Sequence, residues 1–219
     1  MHINKQQIPN IPAHDFLSLP SDAIFALPER VLQFGTGVLL RGLPDYFIDK
    51  ANKQGLFNGR VVVVKSTVQG DTDAFKNQDN LYTQLIRGID NGKQVDKAVV
   101  NASLSRVMEA TTEWQAVLDC AANPLVQIII SNTTEVGISL VAYDDIHASP
   151  PVSFPAKLLA FLIKRFEAFK GSAESGLVII PTELITDNGT KLKNIVLQLA
   201  KQHGLRQAYT DWLNDANDF

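Results

Sequence analysis

Val31-Leu32-Gln33-Phe34-Gly35-Thr36-Gly37-Val38-Leu39-Leu40-Arg41 runs an apolar strand into a G-x-G turn and then into a helical pattern. Such a corner brings backbone close to a pyrophosphate. Its first glycine takes a tight turn, its second has no Cβ to block an anion, and the free N–H groups of the helix start face the negative charge. The third glycine of a G-x-G-x-x-G fingerprint is replaced by Leu40. Arg41 suits either a phosphate contact or an ion pair within the fold. A lone G-x-G also fits an ordinary strand-to-helix corner, so the surrounding chain decides between the two.

Working outward, apolar strands alternate with helical patterns. Residues 30–34 are the first strand and Arg60–Lys65 (RVVVVK) the second, whose four valines predict a strand buried on both faces, as parallel sheets require. Residues 125–131 (LVQIIIS) and 177–181 (LVIIP) read the same way. Helices are expected over 39–54, with Leu39, Leu43, Phe47 and Ile48 on one face; over 112–122, capped by Thr111 or Thr112 with Glu113 just inside; and over 155–170 and 189–203. Residues 80–87 and 93–101 alternate more strictly around Asn91-Gly92, a hairpin signal, and predict an antiparallel excursion on the parallel sheet. The fold class is therefore α/β, doubly wound and Rossmann-type, with a mostly parallel sheet. In that class the first βα turn is where a dinucleotide binds.

Composition narrows the field. The chain has 219 residues with a formal net charge of −3, enough for one well-buried α/β domain. No apolar run reaches membrane-span length, no signal core is seen among the prolines of the first 20 residues, and one cysteine, Cys120, excludes an internal disulfide. A cytoplasmic protein is expected, with no nucleic-acid or membrane partner, since Lys and Arg do not cluster. His2, His14, His147 and His203 are not at metal-ligand spacing, so no metal site is expected. The absence of a G-x-S-x-G nucleophile signature gives no support to a hydrolase.

Three further clusters lie at strand ends, where open α/β sheets place ligands. Lys65-Ser66-Thr67 follows the second strand at the place where NAD enzymes often put an acidic residue. A lysine and two hydroxyls suit a 2′-phosphate, so NADP stays open beside NAD, and a solvated strand end fits Lys65 equally. Ser131-Asn132-Thr133-Thr134-Glu135 follows the third buried strand and offers either a site or an N-cap at Thr133 or Thr134. Pro181-Thr182-Glu183 leads to Asp187-Asn188-Gly189. Asp187 or Asn188 suits a helix cap, while Glu183 is placed to orient a polyhydroxylated substrate or relay protons.

Taken in order, VLQFGTGVLLRG, VVVVK, SNTTEVGI, PTELITDNG and the closing WLNDANDF resemble the amino-terminal half of the mannitol dehydrogenase family of long-chain polyol and sugar-acid dehydrogenases, over nearly the whole chain after Pro28. SNTTE-x-GI with P-x-ELI-x-x-NG resembles the uronate branch; polyol branches tend to carry D-N-L in place of Thr182-Glu183-Leu184. The family often has Asn-Phe where this chain has Val38-Leu39. The resemblance implies an N-terminal extension over 1–27 and an NAD-binding domain over 28–219. It implies that Val31, Leu32, Gln33, Phe34, Gly35, Thr36, Gly37, Val38, Leu39, Leu40, Arg41 and Gly42 hold the cofactor together with Lys65. Asn132, Thr133, Thr134 and Glu135 then lie near the nicotinamide, and Glu183 and Asn188 border the substrate.

The implied reaction is reversible hydride transfer reducing a hexuronate, tagaturonate, with NADH. A polyol or fructuronate substrate is the alternative within the family, and a non-catalytic nucleotide-binding domain the alternative outside it. Family enzymes carry their catalytic lysine in a helical carboxyl-terminal domain, within a K-x-x-x-x-N-x-x-H pattern that this sequence lacks. The expectation is a domain that binds cofactor, has that carboxyl-terminal domain as its partner, and does not turn over alone.

Overall fold

The computed structural model describes residues 3–67, 72–133, 137–142 and 144–219. Its strands, among these residues, are β1 (Leu17–Ser18), β2 (Glu29–Phe34), β3 (Arg60–Lys65), β4 (Tyr82–Asp90), β5 (Lys93–Asn101), β6 (Leu104–Glu109), β7 (Ile128–Ser131) and β8 (Val178–Pro181). The helices are α1 (Val38–Gly42), α2 (Pro44–Lys53), α3 (Asp73–Lys76), α4 (Ala110–Asp119), α5 (Phe154–Ala168), α6 (Asn188–Gln202) and α7 (Gln207–Asp215).

The four valines of β3 are buried and divide between the two faces of a five-stranded parallel sheet. Val61 and Val63 pack with Val31, Leu40 and Leu104 on the side of α1 and α2. Val62 and Val64 join Leu32, Phe34 and the inward sides of α4, α5 and α6 in the main core. Each such valine contributes roughly 1.5–3 kcal/mol by leaving water. The strand order is β6-β3-β2-β7-β8, so the chain winds outward from β2 in both directions and reverses between β2 and β7. That reversal is the switch point of a doubly wound sheet, as the sequence predicts.

Several local expectations need correction. The helix expected over 39–54 is two helices, broken at Leu43 (φ −119°, ψ −82°) before Pro44, which lacks an N–H and disfavours helical geometry in the residue preceding it. The break turns most of the expected inner face outward, while Ile48 still packs on the core. Leu39, Leu43 and Phe47 are 46–54% exposed, and Asp45, Asp49 and Asn52 face the interior instead. The hairpin does not extend the parallel sheet. It forms a separate three-stranded sheet, ordered β1-β5-β4, with a turn at Asn91 and Gly92, both at positive φ, that matches hairpin twist. Here Ile8 and Ile24 pack on Leu81, Val100 and Ala102.

The strand β6 was not expected, because Arg106 and Glu109 interrupt its apolar pattern; Arg106 forms an ion pair with Glu29 across the sheet. The short helix α7 was also not expected. Helix α4 starts earlier than expected, at Ala110. Neither Thr111 nor Thr112 caps it, and Glu113 instead reaches back to accept from the Glu109 N–H at 2.9 Å. No helix among the described residues is long and apolar enough to cross a membrane.

Candidate functional site

At the carboxyl end of β2 the chain has to turn between two neighbours. The Gly35 N–H donates to the Val64 carbonyl of β3, while the Asn132 N–H beyond β7 donates to the Phe34 carbonyl. Gly35 has φ +125°, and a Cβ there would sit 2.8 Å from the Asn132 carbonyl oxygen and 2.9 Å from Leu40 Cδ1. Glycine is thus required by the protein itself. Leu40 is fully buried beneath the turn and fills the space where a third glycine would bring helix and strand together.

Gly37 differs. A Cβ added there meets nothing within 4 Å, and the residue is the N-cap of α1. As glycine, the cap offers no side chain to the first N–H groups of α1. The cradle fits an extended anion that approaches the backbone closely.

Within the segment 31–42, the side chains of Val31, Leu32, Phe34 and Leu40 belong to the core on one face or the other. Gly35, Thr36, Gly37, Val38 and Leu39 rise toward the surface. Arg41 lies over the Phe75 ring at 5.5 Å. The root of the β4–β5 hairpin holds the end of α1: Tyr82 Oη donates to the Arg41 carbonyl at 2.8 Å and Gln84 Nε2 to that of Gly42 at 3.1 Å. Beneath the turn, Gln33 reaches Asp45, a contact the sequence reading missed. The signal for it was a polar residue at an inward position of a buried strand.

Lys65, at the end of β3, is only 4% exposed and donates from Nζ to the Thr67 carbonyl at 2.7 Å. Beside it, Ser66 Oγ is buried without a hydrogen-bond partner.

On the other side of the switch point, β7 and β8 end together. Thr182 donates from N and Oγ1 to the Ser131 carbonyl, both at 2.8 Å, and Asn132 Nδ2 donates to the Thr182 carbonyl at 2.9 Å. Glu183, 4% exposed, clamps the two strand ends. One carboxylate oxygen accepts from Ser131 Oγ at 3.2 Å; the other accepts from the Thr133 N–H at 2.9 Å and Thr133 Oγ1 at 3.1 Å. Asn188 Nδ2 donates to the Pro181 and Glu183 carbonyls, and its Oδ1 accepts from the Gly189 N–H. Asp187, in a left-handed conformation, is the N-cap of α6 but makes no side-chain cap bond. Asn132, Thr133, Glu183 and Asn188 are therefore brought together as one bonded unit. Thr134 and Glu135 lie outside the described residues. Alongside this unit is a cavity of about 510 Å³ between residues 138–140 and α6, lined by Thr186, Asp187, Lys191 and Asn194 among others. Lys191 and Asn194 were not singled out in the sequence, because helical spacing alone does not show which polar residues face a cavity.

A family model described as the mannitol dehydrogenase Rossmann domain matches residues 29–219. The chain belongs to that family. Among curated relatives, it is 44% identical over 194 residues to an altronate oxidoreductase of Halalkalibacterium halodurans, covering 88% of this chain and 38% of the relative. To the altronate oxidoreductase of Bacillus subtilis it is 40% identical over 192 residues, covering 88% and 40%. The chain thus spans about two-fifths of the length of these relatives. Among solved structures, Pseudomonas fluorescens mannitol 2-dehydrogenase in ternary complex with NAD and D-mannitol superposes with a TM-score of 0.83 at 21% identity, covering all of this chain and 46% of that one. A substrate-free D-sorbitol dehydrogenase gives a TM-score of 0.80 at 19% identity, with the same coverage. These two likenesses establish the shared fold.

Proposed function

We propose that residues 35–37 hold the pyrophosphate of NAD and that this chain is the dinucleotide-binding part of a hexuronate oxidoreductase interconverting tagaturonate and altronate. The observation that carries this reading is the contrast at the switch point, where the Cβ position of Gly35 is filled by protein and that of Gly37 opens onto empty space. The names of the curated relatives support the sugar-acid substrate over a polyol.

When bound, the nicotinamide supplies or accepts a hydride at the substrate carbonyl carbon. This chain's part is to bind and orient. The leading N–H groups of α1 face the phosphates. The wall formed by Asn132 and Thr133, fixed by Glu183 and Asn188, stands where the nicotinamide end of the crevice lies in a sheet wound this way. Glu183 acts by positioning that wall, since its carboxylate is spent on Ser131 and Thr133, and Asn188 braces the chain behind it through the Pro181 and Glu183 carbonyls. Preference for NAD over NADP is supported by the burial of Lys65, which is 4% exposed with its ammonium turned to the Thr67 carbonyl and so presents little cationic surface to a 2′-phosphate. The acid/base lysine belongs to the part of the relatives that this chain does not span.

Fluorescence titration with NADH and NADPH tests the cofactor, with tighter NADH binding expected. Equal or tighter NADPH binding overturns the assignment to NAD. A tagaturonate reduction assay tests the division of labour. No turnover by these 219 residues is expected, and measurable turnover places the acid/base group within them.

A further inference from the structure

Directly behind the turn, two buried side chains are each left one hydrogen bond short, in complementary fashion. Gln33 projects from β2 toward α2, and its Nε2 lies 3.3 Å from both the Gly35 carbonyl oxygen and Asp45 Oδ2. An amide nitrogen carries two hydrogens, so both are used. Gln33 and Asp45 are fully buried. The atoms without partners are Gln33 Oε1 and Asp45 Oδ1, one from each side chain.

With Asp45 ionised, both orphans are acceptors, which is costly in an interior without water. A single proton on Asp45 Oδ1 changes that. The carboxylic acid then supplies a donor where Gln33 Oε1 lacks one, while its other oxygen keeps the amide N–H.

The surroundings favour the neutral form. Arg41 on α1 is the cation facing Asp45, and its attraction is the smaller influence. Asp49, one turn further along α2, is paired with Lys53 at 2.7 Å. Tyr82 approaches from β4 with its hydroxyl donated to the Arg41 carbonyl; burial first, then Asp45 and Asp49, push its phenol well up. From β5, Asn101 Nδ2 donates to the Asp45 main-chain carbonyl. Burial pushes the Asp45 carboxyl up to about 7, against the Gln33 hydrogen bond and Arg41.

We propose that Asp45 is a positioning residue, held neutral by a proton shared with Gln33, and that ionising it weakens dinucleotide binding by placing a negative charge behind the turn and drawing the Gln33 amide off the Gly35 carbonyl. This rests on the reading that residues 35–37 hold the pyrophosphate. Linkage then requires that a bound dinucleotide raise the proton affinity of Asp45, so that binding takes up protons above neutral pH.

Titration calorimetry with NADH in buffers of different ionisation enthalpy reads this directly. Proton uptake is expected, with Kd rising roughly tenfold between about pH 6 and about pH 8.5. Asp45→Asn puts an amide N–H donor in place of the carboxylic acid O–H, with nothing to titrate. It should retain the acid-side affinity and lose both proton uptake and pH dependence. The same pH profile in native chain and variant, or a flat profile in the native chain, overturns the proposal.

Urea unfolding of the unliganded chain separates this from failure of the site assignment. The folded-state carboxyl lies above its unfolded value, so stability from the pair is full below about pH 4 and is lost as pH rises through about 7; Asp45→Asn flattens that decline. If the decline is present but NADH does not bind at any pH, the shared proton stands and the cofactor site is what fails. If native chain and variant decline alike, the shared proton itself is wrong.

Discussion

Gly35 and Gly37 are separated by one residue, yet a methyl group added to each meets different surroundings. At Gly35 it meets the Asn132 carbonyl and Leu40 at positive φ; at Gly37 it meets nothing. Gly35→Ala should therefore destabilise the fold by about 1–3 kcal/mol, read as a lower urea midpoint. Gly37→Val should cost no more than about 1 kcal/mol, from the poorer N-cap, yet weaken NADH binding at least tenfold by fluorescence titration. Equal loss of stability in both variants would show that Gly37 serves the fold and not a ligand. The motif was legible in the sequence, but the division of labour was not. It depends on Asn132, which reaches Gly35 only through the pairing of β2 with β7. The missing third glycine is explained only by the position of Leu40 in the core.

Among the elements, those with one dominant signal were readable: β3 from its valines, the hairpin from Asn91-Gly92, and α5 from Pro155 in its first turn. Where signals competed, tertiary contacts decided. The apolar stripe of 39–54 was real, but Pro44 broke the helix and a polar layer around Asp45, Asp49 and Asn101 claimed its inner side. The junction of β7 and β8 was legible only as two polar clusters, since nothing in sequence spacing says that Glu183 reaches Ser131 and Thr133. Glu183→Ala strands three buried or half-buried donors there, a cost of about 2–4 kcal/mol. Hydrogen exchange at the Thr133 amide should quicken in that variant while the amides of β3 stay protected. Uniform quickening would mean that the clamp supports the whole sheet.

For the whole molecule, two carboxyls give the pH–stability curve opposite limbs. Asp45, raised by burial, costs stability as pH rises through about 7. At Asp144, burial pushes upward but is outweighed by hydrogen bonding to the Ser153 side chain, by the Ser153 and Val152 N–H groups at 2.7 and 3.0 Å, and by the Lys157 charge, leaving its carboxyl lowered. Its contribution is present above the ordinary carboxylate range and lost as pH falls through the lowered value. The urea midpoint should therefore peak on the acid side of neutrality, with Asp144→Asn removing the acid limb and Asp45→Asn the other. A peak above pH 7 contradicts the assignment of Asp45 as the raised group. The β4–β5 hairpin has a use of a different kind. Its root grips α1 through Tyr82 and Gln84, whereas its tip at residues 88–94 is largely exposed. A turn so placed tolerates interruption. A short tag spliced between Asn91 and Gly92 should leave NADH affinity intact, giving a handle by which the chain can be tethered to a surface with its cofactor crevice unobstructed.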